Sequence, residues 1–234
     1  ANNQDAGSSY YTAGQVYFNP VNLFMYQPGN YDGSVELRVP DLPTGWKVAT
    51  ALAQPERGRF TAASYHEFVD APTVLAEKMV QLQFESQGTT FHLHFQGPTY
   101  GDTAVFEAAI EPVRAIVETQ GAIFGEGYPF DAYHFIYRLI PYRLRHAVEH
   151  ANSASFALPA EITENARRLV NNLQGITAHE FWHAWNVKRI RPAPLWPYDY
   201  SQPQYSRLHW FTEGVTEYMT HMTLIRAGLI NEET

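Results

Sequence analysis

The chain has 234 residues, a formal net charge of −8 and no cysteine. The acidic balance disfavours nucleic acid and anionic membrane surfaces as partners, because both call for clustered cations. The missing thiols exclude disulfide scaffolds, cysteine-held metals and a cysteine nucleophile. Hydrophobic residues at 45% and aromatics at 15% can build a sizeable core, and no apolar run reaches the roughly 18 residues of a membrane span. The ten histidines leave imidazole and carboxylate as the ligands available to a transition metal.

"ANNQDAGSSYY" opens the chain without an initiator Met or a signal-peptide pattern, and "RAGLINEET" closes it directly after a helical run. Both ends read as cut, so a piece of a longer protein is expected. Residues 1–9 are small and polar and are expected to fray. From there to about residue 101 the signals are β. In "GSVELRVP" Val35, Leu37 and Val39 alternate onto one face, and in "TTFHLHFQG" Phe91, Leu93 and Phe95 do the same. "GQVYFNPVNLFMY", "WKVATAL", "RFTAASY" and "MVQLQFES" are similar short runs, punctuated by Pro and Gly as turns require. Their spacing predicts a β-sandwich-like domain over residues 1–101.

The period changes at residue 102. "DTAVFEAAIEPVRAIVETQGAIFG" has helical spacing behind Asp102 as N-cap. "AYHFIYRLI" reads as a strand and "HAVEHANSASFAL" as a second extended segment. Residues 159–187 form a long helical stretch, with a break expected near Gly175, and "YSRLHWFTEGVTEYMTHMTLIRAG" forms another helix, stopped by Gly228. The fold class is therefore α+β, with a second unit over residues 102–234.

Chemistry concentrates in "TAHEFWHAWNVKRIRP". His179 and His183 are four apart on a predicted helix, one above the other on one face, so both imidazoles can reach a single ion. Glu180 is rotated by about 100°, away from the ligand direction and over an open position, where a carboxylate can take a proton from zinc-activated water. Chance and a buried helix carrying Phe181, Trp182 and Trp185 would give the same letters. A buried Glu with two buried His is costly, however, without a ligand role.

A third ligand is required. The extended pattern with Gly at 186 and His at 189 fails, because Asn186 and Arg189 stand there. The next helix offers His209, Glu213, Glu217 and His221 at four-residue steps, and spacing does not choose among them. Gly214 beside Glu213 costs about 1 kcal/mol in a helix relative to Ala, for which close helix packing would be a reason. If Glu213 ligates, Glu217 lies one turn on, placed to accept a hydrogen bond from a ligand imidazole; otherwise it is a solvated surface carboxylate. Two neutral His, one Glu and Zn2+ leave a net positive centre suited to hydrolysis of a carbonyl compound, peptides above all. Lys188, Arg189 and Arg191 follow the helix, where cations offset its dipole; contact with a substrate carboxylate is the alternative.

"HEFWHAWNVKRIRP", "WFTEGVTEY" and "RAGLI" together resemble the glycyl aminopeptidase family of zinc metallopeptidases, and weaker similarity runs upstream through "YFNPVNLFMY", "WKVATAL" and "FTAASYHEFVDAP". The resemblance implies a thermolysin-like (gluzincin) catalytic domain truncated at both ends, with His179, His183 and Glu213 as zinc ligands and Glu180 as general base. It implies an aminopeptidase of glycyl or alanyl type, acting on peptides with a free N-terminus. It also implies that Glu149 in "HAVEHANSAS" receives the substrate amine from an edge strand, although His146 and Ala147 stand where the family carries two glycines and Val148 where it carries leucine. A Tyr that stabilises the oxyanion would fall beyond Thr234; Tyr198, Tyr200 and Tyr205, between the two helices, are the candidates within this sequence, with packing the expected role of each. A PDZ-like domain is implied for the full-length protein. A zinc endopeptidase of the same fold and a non-catalytic interaction module are the alternatives.

Overall fold

The computed structural model describes residues 4–125 and 127–231. In chain order it contains β1 (Tyr10–Thr12), β2 (Gln15–Phe18), β3 (Val35–Arg38), β4 (Lys47–Ala49), β5 (Ala53–Glu56) and β6 (Arg59–Ala62). A short helix α1 (Tyr65–Val69) follows, then β7 (Thr73–Ala76), β8 (Val80–Ser86) and β9 (Thr89–Gln96). After a 3-10 turn come α2 (Ile110–Phe124), β10 (Ala132–Ile140), β11 (His146–Glu149), β12 (Ser153–Pro159), α3 (Ala166–Trp182) and α4 (His209–Arg226).

The amino-terminal part is built from two sheets, ordered β1-β2-β7-β4 and β3-β6-β5. They share a core in which Phe18 and Leu75 from the first meet Phe60 and Ala62 from the second, with Tyr65 and Phe68 of α1. The α+β class holds. Helix α1 was not expected from sequence: "RFTAASY" reads as one strand, but Ser64 caps a helical turn by accepting from the Glu67 amide at 3.1 Å.

The third sheet, β11-β12-β10-β9-β8, carries the site. Strands β8 and β9 were grouped with the amino-terminal β segments on sequence, yet they hydrogen-bond into the sheet of β10 and β12. Their hairpin closes on Gln87 and Gly88, both at positive φ (48° and 78°), which fits a tight two-residue turn. Strand β10 runs parallel to both β9 and β12 and is buried along nearly its whole length, as parallel strands covered on both faces are. On one face Phe91, Leu93, Tyr133, Phe135 and Phe156 pack against Val113 and Val117 of α2 and Leu169, Leu173 and Phe181 of α3. On the other face Ile136 meets Tyr17, Ala49 and Val74 of the amino-terminal sheet.

Three sequence expectations change here. Residues 4–9 do not fray. The buried guanidinium of Arg138 sits over the Tyr17 ring, 3.5 Å from its centroid, and donates to the carbonyls of Gln4 and Asp5, while Tyr17 Oη donates to the Ala6 carbonyl at 2.6 Å. Residues 1–3 of that segment lie outside the described residues. "HAVEHANSASFAL" is a hairpin rather than one extended segment, with β11 antiparallel to β12. Helix α3 runs through Gly175 without a break, because Leu169, Leu173 and Phe181 hold it to the sheet on either side of that residue.

Candidate metal centre

The site is made where α3 and α4 pack together beside the Glu149 end of β11. Helix α3 is started by Asn165, whose side chain accepts from the Arg168 amide at 2.9 Å. Tyr137 Oη shares a 2.9 Å hydrogen bond with Thr177, fixing the helix on the sheet two residues before His179. Buried Gln120 of α2 donates to the Ala178 carbonyl at 2.7 Å and to Thr223 of α4 at 3.1 Å, so one side chain ties three helices together next to the site. Helix α4 presents a buried threonine face, Thr212, Thr216, Thr220 and Thr223. The last three hydroxyls donate back to carbonyls one turn earlier.

On this frame His179, His183 and Glu213 each bring a donor atom within 4.8 Å of the others. The two rings lie 4.9 Å apart, edge to face. Nε2 of His179 is 3.4 Å from Glu213 Oε2, and Nε2 of His183 is 3.6 Å from the same oxygen. The opposite nitrogens are engaged elsewhere: His179 Nδ1 with Glu217 Oε2 at 3.2 Å, and His183 Nδ1 with the Asn186 carbonyl at 2.7 Å. Both rings are thereby oriented with Nε2 towards Glu213, the outer hydrogen-bonding usual around a metal-binding imidazole. Among the four residues at helical steps, His209 and His221 join no such group within the described residues. Gly214 has open space where a Cβ would stand, so close packing against α3 is not the reason for it.

Glu180 is buried. Its acid oxygens, with those of Glu149 and a ring nitrogen of His183, form a second set of donors within 4.8 Å of one another. Burial pushes the Glu180 carboxyl up to about 7, helped by the like charges of Glu149 and Glu213 and opposed by the two imidazoles. Burial acts to lower the histidines, but hydrogen bonding to Glu213 outweighs it and both are raised. The same bonds, from His179 first and His183 next, hold Glu213 well below the usual carboxylate range.

Glu149 ends β11, an edge strand that among the described residues pairs only with β12. His146 and His150 are engaged away from the trio: His146 Nδ1 accepts from the Ala6 amide at 3.0 Å, and His150 Nδ1 pairs with Asp70 Oδ1 at 3.0 Å.

Sequence reasoning missed Asp70, Lys188 and Asn186 as parts of the site's frame. Asp70, just after α1, takes Lys188 Nζ at 2.9 Å, His150 Nδ1 and the Ala151 amide at 2.8 Å. It therefore clamps the turn after Glu149 to the segment after α3. Asn186 donates to the Phe211 and Thr212 carbonyls and to Thr216, joining the end of the α3 segment to α4. Lys188, expected to offset the helix dipole, is thus the ion-pair partner of Asp70. Arg189 does meet a carbonyl near the helix end, that of Ala184 at 2.6 Å. No local sequence signal marks Asp70, since its partners lie 80 or more positions away.

The fold and the site define a mixed α+β protein with a helix-borne His-Glu-His constellation completed by a glutamate from a second helix. The model for the M61 glycyl aminopeptidase matches residues 172–234, and the model for the peptidase M61 N-terminal domain matches residues 1–77. The chain belongs to the M61 glycyl aminopeptidase family. It is also similar to a crystal structure of an aminopeptidase N family protein from Idiomarina loihiensis, at 29% identity and a TM-score of 0.85. That match covers 99% of this chain and 40% of the other, so this chain spans well under half the length of its structural relative. No curated protein matches the sequence.

Proposed function

We propose that this chain carries the zinc centre of a metallopeptidase that removes residues from the free N-terminus of peptides. His179, His183 and Glu213 would hold the ion, Glu180 acts as general base and Glu149 receives the α-ammonium. The observation that carries the reading is the approach of both Nε2 atoms to one Glu213 oxygen, at 3.4 and 3.6 Å. Two imidazoles and one carboxylate make up a donor set of catalytic zinc sites, which hold three protein ligands and leave one position open. With both Nδ1 atoms engaged by Glu217 and Asn186, the trio fits that ion. Bound there, zinc supplies a Lewis acid that polarises a carbonyl and makes water nucleophilic near neutral pH.

The chain's own groups do the rest. Glu180, next to His183 and Glu149, accepts the proton of the attacking water and can return it to the leaving amine. Glu149 binds the substrate ammonium by a charge-assisted hydrogen bond, which requires that the amine be free. Glu217 keeps the His179 ring turned towards Glu213. A helix pair beside a sheet with Glu149 on its edge strand supports a thermolysin-like catalytic domain. The resemblance adds small N-terminal residues of glycyl or alanyl type as substrates and a PDZ-like domain in the full-length protein.

The test uses the full-length protein. Atomic spectroscopy should find close to one zinc per chain, and free-amine peptides should be cleaved while their N-acetylated forms are not. Cleavage that survives acetylation assigns an endopeptidase of the same fold. Absence of zinc, with no hydrolysis that Glu180→Gln abolishes, assigns a non-catalytic module.

A further inference from the structure

A cleft of about 390 Å³ opens beside the metal trio. His179, Glu180 and Glu217 line one end, and Gly175 and Ile176 carry it back along α3 to Arg145. We propose that Arg145 receives the C-terminal carboxylate of a peptide of about three or four residues whose amine is held by Glu149, so that short peptides with a free carboxylate are preferred. The inference rests on the aminopeptidase reading.

The placement follows from the alternation of side chains along an extended chain. Arg145 directly precedes β11 and shares the parity of Ala147 and Glu149. All three turn to the side of α3: Ala147 packs on the core that α3 shares with the sheet, Glu149 meets Glu180 and His183, and Arg145 donates to the Asn172 carbonyl at 2.8 Å. His146, of the other parity, turns to the Ala6 amide. Asn172 and Glu180 are eight residues apart on α3, about 12 Å at the helical rise. Four residues of extended chain separate Arg145 from Glu149 by about 13 Å, so the two elements agree. An extended peptide covers at most about 3.3–3.6 Å per residue, and about three or four residues fill that interval. With its amine at the end of β11 and its scissile carbonyl turned to the trio, the peptide runs on past His179 and antiparallel to β11. The outer edge of that strand is unpaired among the described residues, and strand addition to such an edge is a recurring mode of peptide binding.

The selectivity follows from charge. Arg143 pairs with Glu161 at 3.6 Å, whereas Arg145 pairs with no carboxylate among the described residues. Its Nη1 is engaged by the Asn172 carbonyl, which holds the group at the cleft and leaves the rest of the guanidinium fork for a carboxylate. The carboxylates of the cleft stand at its metal end, where Glu217 is bonded to His179, and Arg145 is the permanent cation at the other. A zwitterionic peptide matches this arrangement, with its ammonium on Glu149 and its carboxylate on Arg145. A dipeptide is too short to bridge the two groups, and in a long peptide the carboxylate lies beyond Arg145. Arg145 is exposed, so solvent screens the pair and its contribution is about fivefold in kcat/KM.

The experiment uses the zinc-loaded full-length protein and alanine peptides from dipeptide to hexapeptide, each as the free acid and as the C-terminal amide. The amides keep the amine and lose the carboxylate charge. The acid-to-amide ratio of kcat/KM is expected to reach about fivefold for the tripeptide or tetrapeptide, through KM, and to fall towards unity for the dipeptide and the hexapeptide. Arg145→Gln should bring the ratio to unity at every length, and Arg145→Lys should keep part of it. Arg143→Gln, in a residue that lines a different cavity, should keep all of it. Calorimetry on Glu180→Gln protein gives a readout without turnover: trialanine or tetraalanine should bind about fivefold more tightly than its amide. A ratio near unity at all lengths, a ratio that ignores length, or one that survives Arg145→Gln overturns this assignment, while cleavage of the amides leaves the aminopeptidase reading in place. If no free-amine peptide is cleaved and neither acid nor amide binds, both fall together.

Discussion

His179 and His183 each use two nitrogens for two purposes. Nδ1 is anchored by Glu217 or by the Asn186 carbonyl, and Nε2 faces Glu213. This division of labour predicts distinct outcomes for neighbouring substitutions. Glu180→Gln keeps the size and hydrogen-bonding reach of the side chain but removes the base, so kcat should fall by roughly 10²–10⁴-fold with zinc content unchanged. Glu217→Gln leaves the trio intact and loosens one ring, so zinc affinity should fall by roughly 10–100-fold, read by competition with a chelating dye. Equal zinc affinity in Glu217→Gln and the parent would show that the 3.2 Å contact to His179 has no orienting role.

At the scale of elements, the site depends on how α3 and α4 are held to the parallel core of the third sheet. Gln120, Tyr137 and Asn186 make the polar ties between these parts, while Phe181 packs against Tyr133 with ring centroids 5.0 Å apart. The strand that leads out of the sheet towards α2 has its own demand. Gly97 sits at φ 126°, and a Cβ there would run into the Leu139 carbonyl oxygen at the end of β10. Gly97→Ala should therefore destabilise the protein by roughly 1–3 kcal/mol, lowering Tm by several degrees in a thermal melt. Gly175→Ala, where a Cβ meets nothing within 4 Å, should raise stability slightly, because alanine is the better helix former by about 1 kcal/mol.

Across the whole molecule, Asp70 and Lys188 join the amino-terminal part to the site. Their side chains are only 21% and 11% exposed. Burial opposes the charge on Asp70, but the Lys188 ammonium and the bonds from His150 and Ala151 outweigh it and hold the carboxyl well below its usual range. Asp70 in turn holds Lys188 well above its usual range, again against burial. The stability that Asp70 confers is fully present above the unfolded carboxyl value, about 3.9, and is lost as pH falls below it. The stability that Lys188 confers is fully present below about 10.4 and is lost as pH rises through its raised folded value. Urea midpoints measured against pH should show a plateau between these limits. Asp70→Ala leaves a buried ammonium unpaired and should cost about 3–5 kcal/mol within the plateau. Asp70→Leu with Lys188→Met should recover most of that loss; a double variant no more stable than Asp70→Ala would show that the pair does more than neutralise charge.

The candidate metal-binding pattern was legible in the sequence because α-helical spacing is local. Four residues bring His179 above His183 whatever the rest of the chain does, and the same period put Glu213 and Glu217 on one side of α4. Alternation likewise gave the inward set Phe91, Leu93 and Phe95. The membership of β8 and β9 in the third sheet was not legible, because a half-buried strand reads the same whichever neighbour it pairs with. The capture of residues 4–9 by Arg138, the helical turn α1 and the continuity of α3 through Gly175 were set by long-range contacts that override local composition. The sequence by itself determined which residue types could hold a metal and on which helices they lie. Only the tertiary structure decided that Glu213 is the member of its helix facing both imidazoles, that Glu149 adjoins Glu180 and His183, and that Asp70 clamps the turn beside it. Those relations depend on distances between segments, and side-chain spacing along a chain does not encode them.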